Sequence, residues 1–226
     1  MVAIPPAYKR AAYCDVDGTL AATNIVGPLV WLKKHTVPAP WNWLWLSSMV
    51  VRGPWWMFLD RCNRNWSNRA IYSNYRNLSV MAVKNLAEAC YAGVIKPKLF
   101  SAALHFVEEL KEQGVRPVLI TGGIDLFMQP LAVELGADLL APGLEENGGV
   151  FTGRLLSPPY AGEKKAEIIR LHAAQHGIDL SRSLALGDSE ADLPMLRTVG
   201  RPIATNPDSR LRREAQKQGW DIKQWR

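Results

Sequence analysis

The stretch AAYCDVDGTL, Ala11 to Leu20, restricts what this chain can fold into more than any other. A short apolar run ends there in two acids one residue apart, Asp15 and Asp17, and Gly18 and Thr19 then turn the chain. A buried strand followed by such a turn delivers both carboxylates to its carboxyl end, where open α/β sheets bind ligands. Two carboxylates so spaced chelate a hard cation through oxygen, and one can attack an electrophile while the other moves a proton. The same residues also make an ordinary DxDG surface turn, with Asp chosen for local hydrogen bonding. The rest of the chain decides between the two.

From Pro97 onward helix and strand patterns alternate. The expected elements are a helix over 98–113, a strand over 115–121, a helix over 125–135 that Pro130 bends, a short strand over 138–141 and a hairpin arm over 149–156. A helix over 163–176, a strand over 184–187, a short helix over 190–197, a strand over 202–205 and a charged helix over 208–218 complete the series. Strands separated by helices of this length imply right-handed crossovers and a doubly wound parallel α/β sheet.

Polar residues recur just past these strands. Thr121-Gly122-Gly123 offers a hydroxyl and backbone donors to an anion at a helix start, or is a plain flexible turn. Lys164 and Lys165 stand near a helix N-terminus, where a cation opposes the dipole unless it faces an anion; a solvated basic face accounts for one of them. GDSEADLP places Asp188 and Asp192 four residues apart, so that both reach one ligand, or serve as a helix cap and a first-turn charge.

Residues 21–96 differ from everything after them. They hold seven of the nine tryptophans (Trp31, Trp41, Trp43, Trp45, Trp55, Trp56 and Trp66). They also carry nine Lys or Arg against Asp60 and Glu88, a net +7 where the whole chain has +6. Helices are expected over 24–35, 55–65, 67–75 and 79–91, punctuated by Pro38, Pro40 and the Gly53-Pro54 pair. This reads as a helical insert between the first strand and the second half.

In order, Asp15-Val16-Asp17-Gly18-Thr19, Thr121, Lys165 and Gly187-Asp188-Ser189-Glu190-Ala191-Asp192 resemble the four-motif signature of haloacid dehalogenase-like hydrolases. Within that superfamily the resemblance is to phosphoserine phosphatase and its relatives, which carry a helical cap after the first motif. It covers about residues 11–24 and 97–205; for the cap it extends to position and helical content alone. Lys165 is preferred to Lys164 because the run AEIIRLHAAQHGIDL aligns more naturally that way.

The resemblance implies a Rossmann-like core of residues 1–20 and 97–226 and a helical cap of residues 21–96. It implies that Asp15 attacks phosphorus and that Asp17 exchanges a proton with the leaving oxygen and the water. It also implies Mg²⁺ held by Asp15, Asp188 and the Asp17 carbonyl, with Asp192 steadying its waters, and a phosphate met by Thr121, Gly122 and Lys165. Dehalogenases of the superfamily lack the second acid, so Asp17 favours phosphate ester hydrolysis. Two positions depart from phosphoserine phosphatases: Asn24 stands where they carry a glutamate that pairs with the substrate ammonium, and Ala191 where they tend to carry asparagine.

Composition bounds the alternatives. At 226 residues, 48% apolar and 21% charged, the chain can bury one sizeable core plus a subsidiary domain. A pI near 9.3 points to an anionic partner. The partner expected is a small-molecule phosphate ester; nucleic acid is not, because no reading helix, zinc spacing or RNA-binding signature is present. A second reading makes the Trp- and Arg-rich insert a peripheral membrane or protein contact, alone or added to catalysis. Against it stands the commoner arrangement, in which Trp and Leu at helical spacing form the insert's core and Arg lines the site mouth. Cys14, Cys62 and Cys90 lack metal-type spacing, Cys14 reads as a buried thiol, and a reducing cytoplasm fits. The first ten residues lack the apolar stretch of a cleaved signal, and no run reaches spanning length.

Overall fold

The computed structural model describes residues 8–62 and 64–225, with the backbone alone for 60–62, 64 and 65. The start of the chain, the Cys62 thiol and the side chains of Arg61 and Arg64 lie outside the described residues.

In chain order the strands are β1 (Ala11–Cys14), β2 (Arg116–Ile120), β3 (Asp138–Leu140), β4 (Leu144–Asn147), β5 (Val150–Leu155), β6 (Leu184–Gly187), β7 (Arg201–Thr205) and β8 (Asp221–Lys223). Between β1 and β2 come helices α1 (Val26–Thr36), α2 (Trp41–Ser47), α3 (Met49–Cys62), α4 (Arg64–Tyr72), α5 (Val80–Cys90) and α6 (Ser101–Glu112). Helix α7 (Asp125–Leu135) precedes β3, α8 (Glu163–His176) precedes β6, α9 (Leu193–Leu196) precedes β7, and α10 (Ser209–Gln218) precedes β8.

Six strands form one parallel sheet in the order β3-β2-β1-β6-β7-β8, and β4 pairs antiparallel with β5. β1 is central, bonded to β2 on one side and β6 on the other. Alternation along the strands sorts the core into two layers. Ala12, Cys14, Leu119, Leu186 and Ile203 join one apolar cluster that extends into the helices between β1 and β2; Ala11, Tyr13, Val118, Ala185 and Ala204 join another, with Ile169 of α8 and Leu211 of α10. Both faces of the sheet are therefore covered, as a parallel sheet requires.

The chain leaves the sheet and returns to it at one place. Ala21 bridges Leu99, Ala22 N–H donates to the Lys98 carbonyl at 2.8 Å, and Phe100 N–H donates to the Leu20 carbonyl at 2.9 Å. The helices in between pack through Leu29 and Leu32 of α1 against Val83, Ala87 and Cys90 of α5. Ser79 caps α5 by accepting from Ala82 N–H, and the β4–β5 hairpin braces this region through Asn77, Leu78 and Val80.

One local expectation is corrected, and two elements appear where none was expected. α3 runs through Gly53-Pro54 instead of stopping there. Pro54 removes the bond to the Val50 carbonyl, but Pro54 is exposed and Val50 is 78% exposed, so water satisfies the freed group. Residues 41–47, for which no element was expected, form α2, and Asp221–Lys223 adds a sixth strand too short to carry a pattern. Cys14 and Cys90 are buried free thiols, and burial pushes each up to about 12. Among the described residues no helix is long and apolar enough to cross a membrane.

Candidate active site

From β1 the sheet grows outward through β2 and β3 on one side and through β6, β7 and β8 on the other, so the strand order reverses between β1 and β6. That reversal opens a crevice at the carboxyl ends of both strands. Asp15 follows the last residue of β1, its N–H bonded to the Leu186 carbonyl at 3.0 Å, and Asp188 follows the last residue of β6. Two acids 173 positions apart thereby meet. Oxygens of Asp15, Asp188 and Asp192 lie within 4.8 Å of one another.

Lys165, in the first turn of α8, reaches this group. Its Nζ donates to Asp15 Oδ1 at 2.5 Å and to Asp192 Oδ1 at 2.7 Å. Lys164 instead pairs with Glu167 at 2.8 Å on the surface, so the two lysines divide as their helix faces dictate. Asp15 and Lys165 are 5% and 4% exposed. Burial pushes the Asp15 carboxyl up to about 6 despite Lys165, with Asp192 adding to the rise. Burial works against the Lys165 charge too, but Asp15 and Asp192 more than offset it and hold the ammonium above the ordinary lysine range. In a dry site an ion pair of this kind fixes position more than it adds stability.

Gly18 is required by geometry. Its φ is +87°, and a Cβ there would sit 2.1 Å from Asp188 Oδ2, so the turn and the carboxylate share space that no other residue leaves. Gly187 plays the same part beside Asp192, whose Cβ would lie 2.6 Å from an added one.

The remaining expected residues take different places. Asp17 accepts from Thr23 Oγ1 at 2.7 Å. Thr121 is fully buried, its Oγ1 accepts from Gly123 N–H at 2.9 Å, and it is not among the residues lining the cavity, whereas Gly122 is. Asn24 lines the cavity, but its Oδ1 accepts from Val26 and Gly27 N–H at 3.0 and 3.1 Å and so caps α1.

Several further groups support the site, most of them outside the sequence reading. Ser189 binds Asp192 Oδ2 through its hydroxyl at 3.0 Å, and Asn206, beyond β7, donates to the Gly18 carbonyl at 3.2 Å. Tyr72 of α4 donates its hydroxyl to the Gly122 carbonyl, and the buried Asn68 lines the wall nearby. Ser189 lay inside a recognised motif and was legible there; Asn206, Tyr72 and Asn68 carry no local signal.

Above the acids lies a cavity of about 1050 Å³. Val26, Val30, Leu46, Met49, Trp56 and Met57 are part of its wall, and among the described residues the cations lining it are Lys34, Lys98 and Lys165. The arginines expected at the site mouth are absent from this lining among the described residues. The expectation that the insert's tryptophans form its core also needs correction. Trp56 is buried and Trp31 and Trp45 half-buried, but Trp41, Trp43, Trp55 and Trp66 are exposed. A seven-residue helix beside a fourteen-residue one offers too few inward positions for that many indoles.

Comparison with known proteins agrees with this geometry. Over 149 residues the chain is 40% identical to the inhibition of morphological differentiation protein of Streptomyces azureus, matching 65% of this chain and 53% of that protein. The chain spans about half the length of the first curated relatives it matches. A probable phosphatase of Mycobacterium tuberculosis is 33% identical over 229 residues, 96% of this chain and 76% of that protein. A substrate-bound phosphoserine phosphatase structure superposes with a TM-score of 0.67 at 21% identity, covering 96% of this chain and 93% of that one, a likeness of fold. The model of the family described as haloacid dehalogenase-like hydrolase matches residues 12–197, a span that takes in the strand-end acids, Lys165 and the second acidic pair. The chain belongs to the haloacid dehalogenase-like hydrolase family.

Proposed function

We propose that the chain is a phosphomonoester hydrolase that works through an aspartyl phosphate on Asp15, with Mg²⁺ as its metal and residues 21–96 as a cap over a core of 1–20 and 97–226. The observation that carries this is the meeting of Asp15, Asp17, Asp188, Asp192 and Lys165 at the strand-order reversal. The phosphatase among its relatives supports the same reading.

The donor set fits a hard divalent cation. Three carboxylates present oxygens within 4.8 Å, and Gly18 leaves open the slot that Asp188 occupies. Asp15, Asp188 and the Asp17 carbonyl would hold the ion, with Asp192 behind them. Once bound it would supply charge neutralisation and orientation for the phosphoryl oxygens.

Asp15 supplies a carboxylate oxygen that bonds to phosphorus while the bond to the leaving oxygen breaks. Asp17, held by Thr23, gives that oxygen its proton and later takes one from the water that opens the acyl phosphate. Lys165 and the Gly122 amide face the nonbridging oxygens, where negative charge accumulates. Lys165 also keeps Asp15 oriented while the site is empty. Thr121 acts behind this layer by fixing the Gly122-Gly123 turn.

The test is Asp15→Asn, which keeps the shape and removes the nucleophile. Hydrolysis of para-nitrophenyl phosphate in Mg²⁺ should fall by at least about 10³-fold. A folded Asp15→Asn protein with wild-type turnover would refute the reading.

A further inference from the structure

Helix α3 is apolar on both faces, although only one of them packs. Met49, Gly53, Trp56 and Met57 recur at i, i+4, i+7 and i+8 and line the cavity. Val50, Val51, Trp55 and Phe58 are 78, 75, 54 and 55% exposed, and α2 adds Trp41 and Trp43 at 64 and 63%. A helix apolar all round belongs in a core or against lipid, and contiguous exposed apolar surface marks a contact.

Charge selects the occupant. From Gly18 to Leu59 the chain has no Asp or Glu, Asp60 of α3 being the next acid, and Lys34 and Arg52 in that stretch are exposed while Lys33 is buried. A second copy docked face to face would set these cations against their equivalents, whereas an anionic lipid surface answers them. Exposed indoles beside basic side chains also suit the headgroup layer. Among the described residues no helix has spanning character, so α2 and α3 would lie in the interface and not cross it.

The cavity carries the same chemistry inward. Leu46 of α2 and Met49, Trp56 and Met57 of α3 line it, so the helices with the exposed apolar face also build the apolar wall. Among the described residues the carboxylates lining it are Asp15, Asp17, Asp188 and Asp192, all at the reacting end, and Asn24 is occupied with capping α1. A substrate ammonium held against the far wall would meet none of the described acids there. At about 1050 Å³ the cavity reaches the top of the range for sites that hold drug-sized ligands.

We infer that the substrate is an amphiphilic phosphate monoester, its phosphate at Asp15 and its extended apolar leaving group along this wall, taken up at an anionic lipid surface on which the exposed α2–α3 face rests. The inference rests on the phosphatase reading above.

The experiment pairs vesicle cosedimentation with turnover in Mg²⁺, using the full chain and a Val50→Asp/Val51→Asp variant. Both substitutions lie on the exposed face and outside the cavity lining. Wild type should bind phosphatidylglycerol-containing vesicles on the order of 100-fold more tightly than phosphatidylcholine alone, and less so in high salt. The variant should bind at least about tenfold more weakly yet hydrolyse soluble para-nitrophenyl phosphate normally. Dodecyl phosphate should exceed phosphoserine in kcat/KM by about 100-fold. Hydrolysis of the aryl ester with equal use of phosphoserine, or vesicle binding indifferent to both anionic lipid and the variant, would overturn this inference alone. Self-association that the variant abolishes, without vesicle binding, would assign the face to a second copy and overturn the lipid assignment. Failure to hydrolyse any of the esters would remove the phosphatase reading and the substrate class with it.

Discussion

Gly18→Ala separates metal binding from backbone strain at a single atom. The new Cβ would stand 2.1 Å from Asp188 Oδ2 and 2.6 Å from its Cγ. Nonbonded carbon and oxygen settle near ~3.5 Å, so the carboxylate must withdraw by more than about 1 Å. A displacement of that size takes Asp188 out of register with Asp15 and Asp192, and a 10- to 100-fold loss of Mg²⁺ affinity is the expected order. The φ of +87° adds a strain of about 1 kcal/mol for any residue with a Cβ, which lowers Tm by about 2–4 °C in a chain of this size. Gly177→Ala is the control: its φ is +64° and nothing lies within 4 Å of the added atom. Both variants should lose similar stability in chelator, but only Gly18→Ala should bind Mg²⁺ weakly by calorimetric titration and gain less Tm from it. If Gly18→Ala titrates with Mg²⁺ as Gly177→Ala does, the Asp188 slot is not part of a metal site.

Other expectations follow from the same contacts. Lys165→Met removes the cation bonded to Asp15 and Asp192 and should cost about 3–5 kcal/mol in chelator, partly restored by millimolar Mg²⁺; a denaturant midpoint unchanged in chelator would contradict this. Asn24→Glu should raise phosphoserine turnover relative to a bulkier ester by supplying a carboxylate at the cavity wall, and competition between the two substrates measures it; if wild type already prefers phosphoserine and the variant lowers that preference, the ammonium is met elsewhere. His172, between Tyr13 and Asp138, is held below the ordinary histidine value by burial, against the pull of Asp138. The unfolded chain, with histidine near 6.5, then binds a proton that the folded state refuses, so stability is full above about pH 6.5 and falls as the pH drops. Urea midpoints between pH 7.5 and 5.5 should fall more steeply for wild type than for His172→Gln, by up to about 1.4 kcal/mol per pH unit; parallel slopes would dismiss the histidine.

What could be read from the residues in order was what local rules and spacing determine. The apolar run before Asp15 had to be a buried strand, and alternating strands and helices left a doubly wound sheet as the economical packing. Asp15, Asp17, Asp188 and Asp192 were legible because each sits just past a strand or in the following turn. Asn206 on the Gly18 carbonyl and Tyr72 on the Gly122 carbonyl were not, since each depends on distances between segments that the sequence separates. The insert shows the limit most plainly. Periodicity gave its helices but could not say which indoles face inward, because α3 carries apolar residues on both faces and its charged residues, Arg52, Asp60 and Arg61, are too few to mark a polar one. The sequence by itself determined the strand-end acids, the alternation that carries them and the choice of Lys165 over Lys164; the tertiary structure alone decided that Lys165 bridges Asp15 and Asp192, and that α3 turns one apolar face to the cavity and the other to solvent. Helix rotation is set by what packs against a helix, and that neighbour is chosen only when the chain has closed on itself.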